Sequence, residues 1–235
     1  MGFCKSTMKD GIFILTLGGS DDGHNYLTVQ SLTDLEAELK DIRTNRVRST
    51  SRGLITTSTA ELFCDGEDYN NASAPVADEL ARRMARVVHE LFNMPFPTVA
   101  AVTGDVRSSL ALALVLAHDD TATMRAARFE VKEVRDGGVC MPPYAAALLR
   151  DKTAYPRVRS SMVLRSETML GSDMLYWEAF ECTIDDKEGG GVDLASSIIT
   201  GSFGDVHDGR AYITTRKSFF PESWKAVSEF LGDHQ

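Results

Sequence analysis

Apolar residues along this chain occur either in short unbroken runs or at spacings of three and four. Their alternation predicts a mixed α/β protein. Ile12–Leu17 (IFILTL) is nearly continuous and closes at Gly18 and Gly19, the pattern of a strand covered on both faces. Leu32, Leu35, Leu39 and Ile42 recur at helical spacing, and Ser31 with Asp34 supplies a capping-box start. Together they predict a helix from Ser31 to about Arg48. Gly53–Thr57 predicts a second strand, and the Asp-, Asn- and Gly-rich stretch from Thr59 to Ala74 a long polar loop. Pro75 then opens a helix with Val76, Leu80, Met84, Val87, Val88 and Leu91 on one face, ended by Pro95 and Pro97.

Thr98–Thr103 predicts a third strand, Gly104 a turn out of it, and the almost wholly apolar Leu110–His118 a buried helix. Short strands are expected around Thr121–Arg125 and Phe129–Val134. From Pro142 the pattern is mainly helical, with a loop at Gly189–Gly191 before Val192–Thr200, and a closing helix at Pro221–Leu231. No Pro- or Ser-rich linker interrupts the chain. It is therefore expected to form one domain over residues 1–235, with a core at about 11–152 and a helical C-terminal region at about 153–235.

Composition narrows the functions. A hydrophobic share of 43% over 235 residues supports a sizeable core. The net charge of −9 argues against a nucleic-acid or anionic-membrane binder. Cys4, Cys64, Cys140 and Cys182 lie far apart, with neither zinc-site spacing nor the density of a disulfide scaffold, so a reducing compartment is expected. No apolar run reaches the roughly 20 residues a transmembrane helix needs. The Asn71-Ala72-Ser73 sequon is read as accidental. Met1-Gly2-Phe3-Cys4-Lys5-Ser6 fits a myristoylation pattern, with Gly2 as acceptor and Cys4 placed for a second acyl chain; an unmodified terminus is the plainer alternative.

GxSxG, P-loop, GxGxxG and HExxH motifs are all missing from the sequence. The histidines of His118–Asp119 and His207–Asp208 sit next to their acids rather than at ligand spacing, so core or turn roles are expected and no metal site.

Three segments look like site architecture: Phe63-Cys64-Asp65-Gly66-Glu67-Asp68-Tyr69, Thr103-Gly104 through His118-Asp119, and Val131–Pro142 (VKEVRDGGVCMP). The first resembles the FSxGxDL segment of crotonases. The second resembles TGHAxAGGxxLALSHD, and the third MSEVDIGLPLP, of plant enoyl-CoA isomerases. The likeness runs from about Ile12 to Lys152.

This resemblance implies an α/β crotonase fold, with repeated ββα units spiralling into a core and C-terminal helices that assemble a homotrimer or a dimer of trimers. It implies an acyl-CoA thioester as substrate, with a 3-enoyl-CoA converted to its 2-enoyl isomer. CoA enters as part of the substrate, with no metal and no separate cofactor. Glu133 matches the glutamate of MSEVD and is the implied base. Backbone N–H groups of Glu67 and Ala111 are the implied oxyanion donors, with Asp65, Gly66, Ser109 and Leu110 as substrate-binding positions and Leu62, Phe63 and Cys64 as buried supports. Aligning the His118–Asp119 pair places one extra residue in Asp105-Val106-Arg107 and puts Ala111 where the family has glycine.

Hydratases of the superfamily carry an additional glutamate in the helix that here reads Leu110–Leu116, which has no acid. One carboxylate favours isomerisation, because shifting a double bond needs only one group that takes a proton and returns it elsewhere. The alternatives are another crotonase reaction such as hydration, a catalytically impaired acyl-CoA binder, and a scaffold. Plant members are peroxisomal, whereas this chain ends in Gly232-Asp233-His234-Gln235 rather than a targeting tripeptide. A cytosolic or lipid-anchored location is the alternative.

Overall fold

The computed structural model describes residues 2–18, 24–66, 72–180, 182–184 and 190–232. Strands β1 (Cys4–Lys9) and β2 (Ile12–Leu17) form a hairpin, and helix α1 (Val29–Asp41) follows. Three strand pairs come next: β3 (Gly53–Ser58) with β4 (Leu62–Asp65), β5 (Thr98–Val102) with β6 (Asp105–Arg107), and β7 (Asp120–Met124) with β8 (Arg128–Glu130). Helix α2 (Ala74–Phe92) follows the first pair and α3 (Ser109–Leu116) the second.

Each pair sends its first strand to one sheet and its second to another. The larger sheet has the order β1-β2-β3-β5-β7-β10, with β10 at Cys182–Ile184; the smaller has β4-β6-β8-β9, with β9 at Met169–Leu170. Apart from the β1–β2 and β8–β9 pairings, all are parallel. Parallel strands need crossovers, and the buried runs of β3 and β5 fit a sheet covered on both faces. This is the repeated ββα arrangement expected from the sequence.

After Glu133 come α4 (Pro143–Lys152), α5 (Pro156–Arg159), α6 (Gly171–Tyr176), α7 (Gly190–Ser197), α8 (Gly209–Phe219) and α9 (Pro221–Leu231). Helix α9 packs on α2 and α4, which brings the C-terminal end of the chain back over the first repeat. A buried ion pair fixes that return. Asp119 and Arg216 meet at 2.6 Å with side chains 9% and 3% exposed, and Arg216 also donates to the carbonyls of Met94 at 2.7 Å and Phe96 at 2.8 Å.

Several expectations are corrected. The first helix starts at Val29 under a Thr28 cap, because Ser31 sits at the third helical position and returns the capping bond to Thr28 N–H. It ends at Asp41 and passes into a π-helical turn at Ile42–Arg46, short of Arg48. Within the supposed polar loop, Leu62–Asp65 forms a wholly buried strand. Glu133 lies at the head of a π-helical turn, Glu133–Gly137, and not on a strand reaching Val134. The turn is closed by Gly138, whose φ of 65° suits glycine and whose N–H donates to the carbonyl of Glu133 itself.

Candidate active site

The site forms where the ends of β4 and β6 meet the start of α3. Asn25, fully buried, braces β4: its Nδ2 donates to Ser58 Oγ at 2.7 Å and to the Phe63 carbonyl at 3.0 Å, while its own backbone carbonyl accepts from Asp65 N–H at 2.8 Å. Nothing in the sequence pattern marks this asparagine, because its role depends on a strand thirty-odd positions away. Leu62, Phe63 and Cys64 are buried, as expected.

Gly66 follows β4 and its N–H donates to the Arg107 carbonyl at 2.8 Å. A Cβ on Gly66 would stand 1.8 Å from Ser108 Oγ and 2.7 Å from the Arg107 carbonyl oxygen, so only glycine fits against the neighbouring segment. Ser108 adopts φ 105°, rare for a residue with a side chain, and is held there by its N–H bond to the Glu130 carbonyl at 2.8 Å. The expected donor Glu67, and Asn71 of the sequon, lie outside the described residues.

The first turn of α3 presents amides that have no partner within the helix. Ala111 N–H is engaged by Ser108 Oγ at 3.2 Å in an N-cap bond. Ala111, the oxyanion donor implied by the resemblance, thus has its N–H engaged by a neighbouring side chain. Ser109 N–H donates to Glu133 Oε1 at 2.6 Å, and Leu112 N–H returns to the Ser108 carbonyl at 3.0 Å. Leu110 N–H, between them, has no bond among the described residues.

Glu133 is 1% exposed. One carboxylate oxygen rests on Ser109 N–H; the other, Oε2, has no partner among the described residues, and neither has the buried Ser109 Oγ. A buried carboxylate oxygen left unpaired is costly, which marks it as a group kept for something other than packing. Asp65, also buried, faces His24 at 3.4 Å and stands apart from this pairing. Helix α3 (SLALALVL) supplies no second acid.

A cavity of about 370 Å³ lies next along the chain from both segments. Ala72, Ala74 and Ala77 line it on one side, Gly138, Val139, Cys140 and Met141 beyond the Glu133 turn on another, and Phe230 of α9 on a third, whereas Glu133, Ser109 and Leu110 are not among its lining residues. The third sequence motif thus carries Glu133 at one end and an apolar wall at the other.

His118 is a core residue. Its Nδ1 donates to the Leu114 carbonyl at 2.9 Å, which leaves Nε2 to accept from the Thr56 hydroxyl at 2.8 Å. At the other end of the chain Cys4 is half-buried in β1. Burial, then Glu38 and Asp34, push its thiol up to about 12, so it stands as a neutral, weakly nucleophilic group. No cluster of His, Cys, Asp and Glu suited to a metal ion occurs among the described residues.

The sequence profile described as enoyl-CoA hydratase/isomerase matches residues 7–177. The chain belongs to this family. Among curated proteins, enoyl-CoA delta isomerase 1, peroxisomal, of Arabidopsis thaliana is 31% identical over 165 residues, covering 68% of this chain and 66% of its own length. Enoyl-CoA delta isomerase 2, peroxisomal, of the same plant is 26% identical over 229 residues, 93% of this chain and 92% of that one. Among solved structures, an apo enoyl-CoA isomerase from Mycobacterium tuberculosis superposes with a TM-score of 0.83 at 18% identity, over 98% of this chain and 96% of that chain. An enoyl-CoA hydratase from Mycobacterium marinum gives 0.81 at 18% identity, over 98% and 97%. These superpositions establish the crotonase fold.

Proposed function

We propose that this protein is an enoyl-CoA delta isomerase in which Glu133 alone carries the proton. The observation that bears most weight is the buried carboxylate with one oxygen anchored and one unpaired, set against a helix without acids. Glu133 Oε2 takes a proton from C2 of a 3-enoyl-CoA; the C–H electron pair passes into a dienolate whose charge gathers on the thioester oxygen. The same carboxyl then returns its proton to C4, the C3–C4 double bond is lost, and a C2–C3 double bond remains. No water and no second acid is consumed.

The thioester oxygen needs donors aimed at it. Leu110 N–H, at the positive end of α3, is suited to this role, with the Glu67 amide as its partner. The cavity of about 370 Å³, lined by residues that follow the Glu133 turn and by Phe230, suits the acyl chain. The family resemblance suggests a homotrimer built on the C-terminal region, and the named plant relatives favour a peroxisomal location.

Binding without turnover is the second reading. It is favoured by the engagement of Ala111 N–H with Ser108 and by Glu133 resting on an amide that an enolate oxygen would want. Calorimetric titration of the full chain with a saturated acyl-CoA, run beside an assay of 3-enoyl-CoA isomerisation, separates the two. The parent is expected to bind and to turn over. Glu133→Gln keeps shape and reach but loses the base, so it should bind equally while kcat falls by about 10²–10⁴-fold. A parent that binds without isomerising establishes the second reading, and a Glu133→Gln variant as fast as the parent removes Glu133 as the base.

A further inference from the structure

Resting on that reading, we propose that Ser109 is the positioning residue of the base: its backbone N–H holds Glu133 Oε1 so that Oε2 alone faces the reacting carbon. Three observations carry this. The Ser109 N–H to Oε1 distance of 2.6 Å is at the short end for a charge-assisted bond, and both groups are buried. Oε2 and Ser109 Oγ are both buried and unpaired among the described residues, so polar atoms converge there beyond what the fold satisfies. Ser108 adopts φ 105° with its N–H on the Glu130 carbonyl, and the next N–H along the chain is the one that meets Glu133.

The consequence is a division of labour along one helical turn. Ser109 N–H serves the base, Leu110 N–H is left for the thioester oxygen, and Ala111 N–H is capped by Ser108. An unheld glutamate would sample several rotamers, and general base catalysis depends on keeping the accepting oxygen within hydrogen-bond reach of the proton it removes.

Ser109→Pro tests this directly. Ser109 is the first residue of α3, where proline is well tolerated because the N–H has no helical partner, so the variant removes the donor and spares the helix. A charge-assisted bond of this kind corresponds to about a 10- to 100-fold fall in kcat. Affinity for a saturated acyl-CoA should be retained. Ser109→Ala restores the N–H and should turn over faster than Ser109→Pro by about the same factor of ten or more. In a Glu133→Gln background, Ser109→Pro should cost nothing further, because the amide acts only through the base.

Exchange of C2 protons of a saturated acyl-CoA in D2O, read by mass spectrometry, provides a second measure of the base. A parent that exchanges but does not isomerise defeats the isomerase reading while still testing Ser109. A parent that does neither overturns both. Equal loss from Ser109→Pro in the parent and in the Glu133→Gln background shows a merely structural role and overturns the proposal. Should Ser109→Pro not fold, the structure of the full chain with a saturated acyl-CoA decides. Glu133 is expected still on Ser109 N–H, and a thioester oxygen found there instead sinks the proposal.

Discussion

Arg216→Met is expected to destabilise the protein more than any surface change. The guanidinium meets both oxygens of Asp119 at 2.6 Å and donates to the carbonyls of Leu91, Phe92, Met94 and Phe96 at 2.7 to 3.2 Å. Methionine keeps most of the packing volume and removes every donor. Asp119 would keep Thr98 N–H at 2.8 Å and the Tyr212 hydroxyl at 3.2 Å, but its buried charge would lose the guanidinium and be left with Lys152 as a nearby cation. Burial alone would raise the Asp119 carboxyl; Arg216, Lys152 and the Thr98 N–H together outweigh it and hold the carboxyl below its ordinary range. Breaking such a pair costs about 3–5 kcal/mol, roughly a fifth or more of a stability of about 5–15 kcal/mol. For a chain of this size that corresponds to a fall in Tm of roughly 6–20 °C. Urea denaturation and a thermal melt read both quantities, and Asp119→Asn/Arg216→Met should lose less than the two single variants added together. A single Arg216→Met variant melting within about 2 °C of the parent would refute the view that this pair bolts α8 to the core.

Two further outcomes follow from the geometry. Gly66→Ala should cost about 1–3 kcal/mol and lower turnover, since its methyl would stand 1.8 Å from Ser108 Oγ; a variant that melts and turns over like the parent contradicts that packing. Burial, acting against the bond to Leu114, pushes His118 down to about 4 from an ordinary 6.5, so the unfolded chain takes its proton first as pH falls. The stability this lends is present above pH 6.5 and lost between about 6.5 and 4, roughly 3 kcal/mol in all. Denaturation midpoints measured from about pH 7 to 4.5 should fall, with a flatter slope in His118→Gln.

What could be read from the sequence was set by how local each signal is. The closing helix matches its expected bounds at Pro221 and Leu231 because a first-turn proline and a helical period lie inside the element. Strand β1 (CKSTMK) gives no such signal: none of its residues is fully buried, and a polar edge strand has no apolar alternation to announce it. Strand β4 is hidden because its short buried run sits between polar flanks. Glu133 is legible only through resemblance, and Phe129–Val134 (FEVKEV) reads by alternation as strand although Glu133 opens a wide turn closed by Gly138. The positive φ of Ser108 has no signal, since serine is not the residue that conformation selects. Asp119 and Arg216 lie 97 positions apart, and no local pattern joins them.

Alanine at position 111, where the resembled segment has glycine, is less damaging to the enzyme reading than the sequence alone suggests. An α-helix advances about 100° per residue, so one extra residue in Asp105-Val106-Arg107 changes which amide of the first turn faces a given direction. With Ser108 as the cap, the third amide is turned to Ser108 Oγ at 3.2 Å and the first to Glu133 at 2.6 Å. The methyl of Ala111 is then carried by a residue whose N–H is already bonded, and it need not approach the thioester at all. On the proposed reading, close approach falls instead to the backbone at Leu110, whose side chain is buried in the core. Insertion and substitution then fit together: the amide proposed for the thioester oxygen is that of Leu110, and Ala111, whose N–H Ser108 already holds, is not asked to meet the substrate.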